Sequence, residues 1–202
     1  MARLSPVLSV FATFLDPAAF GSEPELHGAI RFVEAPELTV DEHASRSHLV
    51  ERLTALAGVH RALLPVGGNL LTLSREEWLQ IPAESLVINP IRDPESWRAA
   101  ATWPGERGLI LALVPAPGDE APEPVEILLW AVRYAASLGG RGLDRVGVAG
   151  MLPIAKGALD PVEAERRIAL LERLVELSAA NEETLRAELD PRAFQPIKRP
   201  QR

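Results

Sequence analysis

The chain contains no cysteine. That excludes disulfides, thiolate metal sites and cysteine nucleophiles together, and it fits a reducing, cytoplasmic setting. Lysine is almost absent. Lys156 and Lys198 are the only two among twenty-one basic residues, so a Schiff-base or phosphate-binding lysine could fall only there. The arginine bias reads as the mark of a GC-rich genome before it reads as a functional preference. No segment approaches the roughly eighteen apolar residues of a membrane span. A basic surplus is also missing. The formal net charge is −7, which argues against nucleic acid and anionic membrane as main partners. No Gly-x-Ser-x-Gly elbow, P-loop or complete dinucleotide fingerprint occurs. The sequence carries no catalytic signature and implies no cofactor.

What is present points to a fold. With 202 residues, 47% apolar and 24% charged, the chain can bury one good core and is not broadly disordered. The most telling stretch is 107–150. Leu109–Val114 is an unbroken apolar run, a helical pattern runs from Pro124 to Leu138, and a second apolar run covers 145–152. A strand apolar on both faces must be covered on both. This order therefore predicts a right-handed βαβ crossover with parallel strands at 109–114 and 145–150.

Other elements follow from local patterns. Alternation from Pro6 to Leu15 reads as a first strand and not as a signal peptide, and His27–Glu34 reads as a second. Residues 41–57 have Leu49, Val50, Leu53, Leu56 and Ala57 at helical spacing, with Gly58 placed as a C-terminal cap. Two apolar runs, 59–66 and 69–73, flank Gly67-Gly68 and predict an antiparallel hairpin. Ser74 and Glu77 have capping-box spacing ahead of a short helix carrying Trp78. Residues 85–90 read as a strand. Asp-Pro at Asp16, Asp93, Asp160 and Asp190 marks turns or helix starts, so these aspartates read as caps before acids. Residues 161–179 form an amphipathic pattern. Ile168, Leu171, Leu174 and Val175 make its apolar face, and its polar face includes Arg166 and Arg167. Asn181 caps a last helix at 182–189. The class expected is α/β or α+β, as a single domain over 1–190. Its mixed sheet of about six to seven strands has the hairpin as an antiparallel part, the βαβ unit at 109–150 as a parallel part, and covering helices. Residues 191–202, with three prolines, read as a flexible or partner-docked arm.

Candidate sites are few. His43 and His48 lie five apart, about 140° around a helix, which is wrong for a shared metal, so no metal site is expected. Gly147 and Gly150 lack the third glycine and helix start of a dinucleotide turn. Asn89 and Arg92 follow an apolar strand. With Gly150 they are the ligand-binding candidates, since ligands bind at strand C-terminal ends in open α/β sheets. Trp78, Trp97 and Trp103 cluster in sequence, and Trp130 and Arg133 lie on the 124–138 helix. These five are the interface candidates. In that helix only Glu126 and Arg133 are charged past the first turn, so it needs cover on nearly every side. The cover comes from the 161–179 helix or from another chain. The function expected is therefore a non-catalytic interaction or assembly subunit, such as an adaptor, inhibitor or immunity-like binder, which binds a protein partner or self-associates. The alternative is a small-substrate transferase or hydrolase with its site at the strand ends.

Overall fold

A computed structural model describes residues 12–15, 30–39, 43–56, 58–66, 68–115, 121–151 and 161–189. Among the described residues six strands form one sheet: β1 (Ala12–Leu15), β2 (Ile30–Glu34), β3 (His60–Leu64), β4 (Ser85–Ile88), β5 (Gly108–Val114) and β6 (Val146–Met151). Their order is β1-β6-β5-β4-β3-β2, and every pairing is parallel. The helices are α1 (His43–Ala55), α2 (Arg75–Gln80), α3 (Ser96–Thr102), α4 (Val125–Ser137), α5 (Pro161–Ala179) and α6 (Glu182–Glu188). The fold is α/β. The expected βαβ unit is present, with β5 and β6 as parallel neighbours joined through α4.

From β2 to β6 each strand lies beside its predecessor, always on the same side. Right-handed crossovers then place α1 to α4 on one face of the sheet. The burial pattern agrees. The large core combines Val33, Leu63, Leu86, Leu109, Leu111 and Val148 with residues of all six helices. The opposite face buries Phe32, Ala62, Leu64, Val87, Ile110, Ala112 and Ala149, with no helical residue among them. All seven residues of β5 are buried, as a strand apolar on both faces requires. This single winding is also the one that builds βα barrels.

The antiparallel hairpin is not formed, and the sheet is parallel rather than mixed. Both edges of β3 are taken by β2 and β4, so no edge remains for 69–73. That segment is coil. It still satisfies its apolar pattern, because Leu70 and Leu73 are buried and the Leu71 N–H donates to the Leu38 carbonyl at 2.9 Å. Gly67 lies outside the described residues, and Gly68 does not adopt a left-handed φ.

Local signals hold better. Ser74 Oγ accepts from the Glu77 N–H at 3.2 Å, and Glu77 Oε2 accepts from the Ser74 N–H at 2.9 Å. Asn181 Oδ1 accepts from the Thr184 N–H at 2.9 Å. Gly58 takes φ 95° just past α1. The buried arc of α5, however, is rotated from the expected one. It runs through Arg167, Leu171, Leu174 and Ser178, while Ile168 is exposed. Arg167 sits inside because its guanidinium donates to the Pro115 carbonyl and, at 2.8 Å, to Glu163. Residues 6–11, the aspartates of three Asp-Pro pairs (16, 160 and 190), and the arm 191–202 lie outside the described residues. Asp93 is described, and its carbonyl rather than its carboxylate accepts the Ser96 N–H, at 3.0 Å.

Candidate functional site

Helices that follow parallel strands end at the N-terminal edge of the sheet. Their last carbonyls need donors there. Arginines supply them. Arg61 Nη1 donates to the Leu53 carbonyl of α1 at 3.0 Å. Arg107 Nη1 donates to the Trp78 and Ile81 carbonyls at the end of α2, at 2.9 and 2.8 Å. Arg141, fully buried, donates to the Ala135 carbonyl of α4 at 3.2 Å, to Trp103 after α3 at 3.3 Å, and to Arg107 at 2.9 Å. Burial, with Arg145 nearby, pushes its pKa down to about 10. It stays charged at neutral pH, at the negative ends of two helices.

This edge also holds one pair with the look of chemistry. His60 Nε2 lies 2.8 Å from Ser85 Oγ. Burial lowers the His60 pKa, Glu84 opposes that, and Arg61 adds to it. The pair is not a nucleophile and base, because Ser85 is completely buried and no substrate atom can reach its Oγ. The hydrogen bond lies at the end of the sheet face that carries Ala62, Leu64 and Val87.

At the C-terminal edge, Asn89 and Arg92 are brought together only locally. Asn89 Oδ1 accepts the Arg92 backbone N–H at 3.1 Å, so its side chain is spent on the turn. Arg92 is exposed. Gly150 lies in β6, paired with Phe14 and Val114. It is two strands from β4, or about 10 Å at ordinary strand spacing. The three candidates share an edge without forming one cluster. His43 opens α1, and His48 lies five residues on in the same helix. The His48 Nδ1 lies 3.7 Å from Glu37 Oε1. Among the described residues no group of three or more His, Asp or Glu side chains could hold a metal ion.

The tryptophans divide. Trp78 and Trp103 are buried in a T-shaped pair with centroids 5.1 Å apart. Their indole N–H groups donate to Thr102 Oγ1 and the Gly108 carbonyl at 3.0 and 2.9 Å. They are core residues and present no surface to a partner. Trp130 is exposed and Trp97 is half-buried at the edge of the core. The inner faces of α4 bury Leu128, Leu129, Ala131, Val132 and Ala135 against the sheet and neighbouring helices. Its outer stripe leaves Ile127, Trp130 and Tyr134 exposed by 45%, 59% and 39%. Trp130 and Tyr134 stack within 6° of parallel at 5.1 Å. Trp97, from α3, stands edge-on to both, 6.3 Å from Trp130 and 4.9 Å from Tyr134. Arg133 is exposed on α4.

Ile127 and Tyr134 were not among the sequence candidates. Their signal was spacing, since 127, 130 and 134 are three and four apart on one helix face. No protein-family model matches the chain, and no curated protein does.

Proposed function

We propose that this chain is a non-catalytic protein-binding subunit that engages a partner protein through the aromatic stripe of α4 and Trp97. One observation carries the reading: three mutually packed aromatic rings, Trp130 and Tyr134 exposed and Trp97 half-buried, form a cluster at the surface. Exposed apolar clusters of this kind on soluble proteins mark interaction sites. Tryptophan and tyrosine lose little conformational entropy when they bind, and they dominate interface energetics. The small-substrate enzyme reading has less behind it. Asn89 is engaged in its own turn, and Gly150 lies two strands from it.

The test is site-specific photo-crosslinking in the source cells. A benzoylphenylalanine placed at Ile127 should give one discrete protein adduct, identifiable by mass spectrometry. The same probe at exposed Val162 on α5 should not. The Ile127 adduct should disappear when Trp130→Ala is added. No adduct at Ile127, or equal adducts at both sites, refutes the proposal.

A further inference from the structure

The dimensions and charge of the aromatic stripe define what fits it. We infer that its occupant is a short extended segment of a partner protein in polyproline II conformation, with two prolines three residues apart and a carboxylate at one flank. This rests on the function proposed above and names the chemistry of the partner at that same site.

The first argument is area. Large apolar side chains offer about 150–250 Å² each. At the observed exposures, Ile127, Trp130 and Tyr134 present roughly 300 Å² together. A stable interface between folded proteins needs about 800 Å² per partner. A second copy of this chain seated on the stripe alone falls short by more than half. A segment of five or six residues does not.

The second argument is length. Ile127 to Tyr134 spans seven helical residues, about 10.5 Å along the axis. Polyproline II rises about 3.1 Å per residue with three residues per turn. One turn therefore covers the stripe and brings residues i and i+3 to the same face. One proline ring meets Ile127 and Trp130, and the other meets Tyr134 in the angle made with Trp97.

The third argument is rigidity. Each ring is held by the other two, and Trp97 stands 81° from both. The site is already ordered, and a polyproline segment is ordered before it binds. The entropy cost that weakens flexible peptides is small on both sides.

The fourth argument is charge. Arg133 is exposed on α4, about 60° around the helix from Trp130, and makes no ion pair among the described residues. Arg98, on the neighbouring helix, is already paired with Glu95 at 2.9 Å. Arg133 therefore selects a carboxylate beyond the second proline. The net charge of −7 on the whole chain opposes that approach, so the acidic contribution is local and is screened by salt.

The test uses the full chain and two synthetic capped peptides, Pro-Ala-Ala-Pro-Asp-Ala and its counterpart with both prolines replaced by alanine. Binding is read from tryptophan fluorescence and by calorimetry. The first peptide should bind with a dissociation constant between about 10 µM and 1 mM. Loss of the prolines should weaken it at least tenfold, Trp130→Ala should weaken it at least tenfold, and Arg133→Gln should weaken it several-fold at low salt. Trp130 is largely exposed, so Trp130→Ala should fold, and its melting temperature checks that. Equal binding of both peptides, or none up to several millimolar, overturns the inference. If the Ile127 adduct persists in that case, the site is still a protein-binding site with a different occupant. Light scattering that shows a dimer lost on Trp130→Ala also overturns it, because the occupant is then a second copy.

Discussion

Arg141→Met is the sharpest test of how this fold is held together. Arg141 is fully buried, and among the described residues its guanidinium donates only to carbonyl oxygens. Its three shortest bonds, to Arg107, Ala135 and Trp103, are 2.9, 3.2 and 3.3 Å. Bonds from a charged donor contribute about 1.5–3 kcal/mol each, or roughly 6 kcal/mol together. Burying the charge opposes this. The fall of its pKa from the ordinary guanidinium range to about 10 is worth roughly 3 kcal/mol against the charged form. The net loss on Arg141→Met is therefore about 3 kcal/mol. Methionine is flexible enough to fill most of the space, so the cavity term stays small. Equilibrium urea unfolding should show a lower midpoint with an unchanged slope. The melting temperature should drop by about 6–12 °C for a chain of this size. Arg141→Lys keeps the charge without the planar fork and should lose about half as much. An Arg141→Met protein within about 1 kcal/mol of wild type would mean that the guanidinium merely occupies a space left by packing.

His60 has a lowered pKa in the folded state, so its contribution is complete above its unfolded value near 6.5 and is lost as pH falls through the folded pKa; His60→Gln should lose less stability than wild type between pH 7.5 and 5, and equal losses would refute the assignment. Ser74→Ala removes half of the capping box on α2 and should cost about 1 kcal/mol, read as a shift in the urea midpoint. A Cβ on Gly105 would sit 2.1 Å from the Gly139 carbonyl oxygen. Both sides are backbone, so Gly105→Ala should cost about 1–3 kcal/mol, and a neutral result would mean that the two turns can separate freely.

The parts of this fold visible in the sequence are those fixed within a few residues. The α2 capping box, the Asn181 cap and the span of α5 depend on neighbours in the chain. The buried run of β5 is legible because covering both faces requires a parallel sheet. The hairpin failed for the opposite reason. Its Gly-Gly turn and apolar flanks are a real local preference, but β2 and β4 occupy both edges of β3, and no feature of residues 59–73 encodes that competition. The same limit hid the arginines. A guanidinium reaches several ångströms, so whether Arg141 or Arg167 faces solvent or a row of carbonyls depends on elements far away in sequence.

The tryptophans show where helix phase decides between core and surface. Trp97 lies in the first turn of α3, and Trp103 is the residue just past its end. Trp103 turns inward onto Trp78, and Trp97 turns outward onto α4. Composition treats them alike, because either ring is apolar enough to bury. What separates them is the angle each residue makes with the sheet, and that angle is set by how α3 is anchored. Arg141 ties the end of α3 to the end of α4 through the Trp103 and Ala135 carbonyls, and Gly105 lets the two turns touch. The relative placement of α3 and α4 is therefore fixed at the N-terminal edge of the sheet, and Trp97 meets Trp130 and Tyr134 farther along the same helix pair. The surface stripe and the buried arginine are two consequences of one packing.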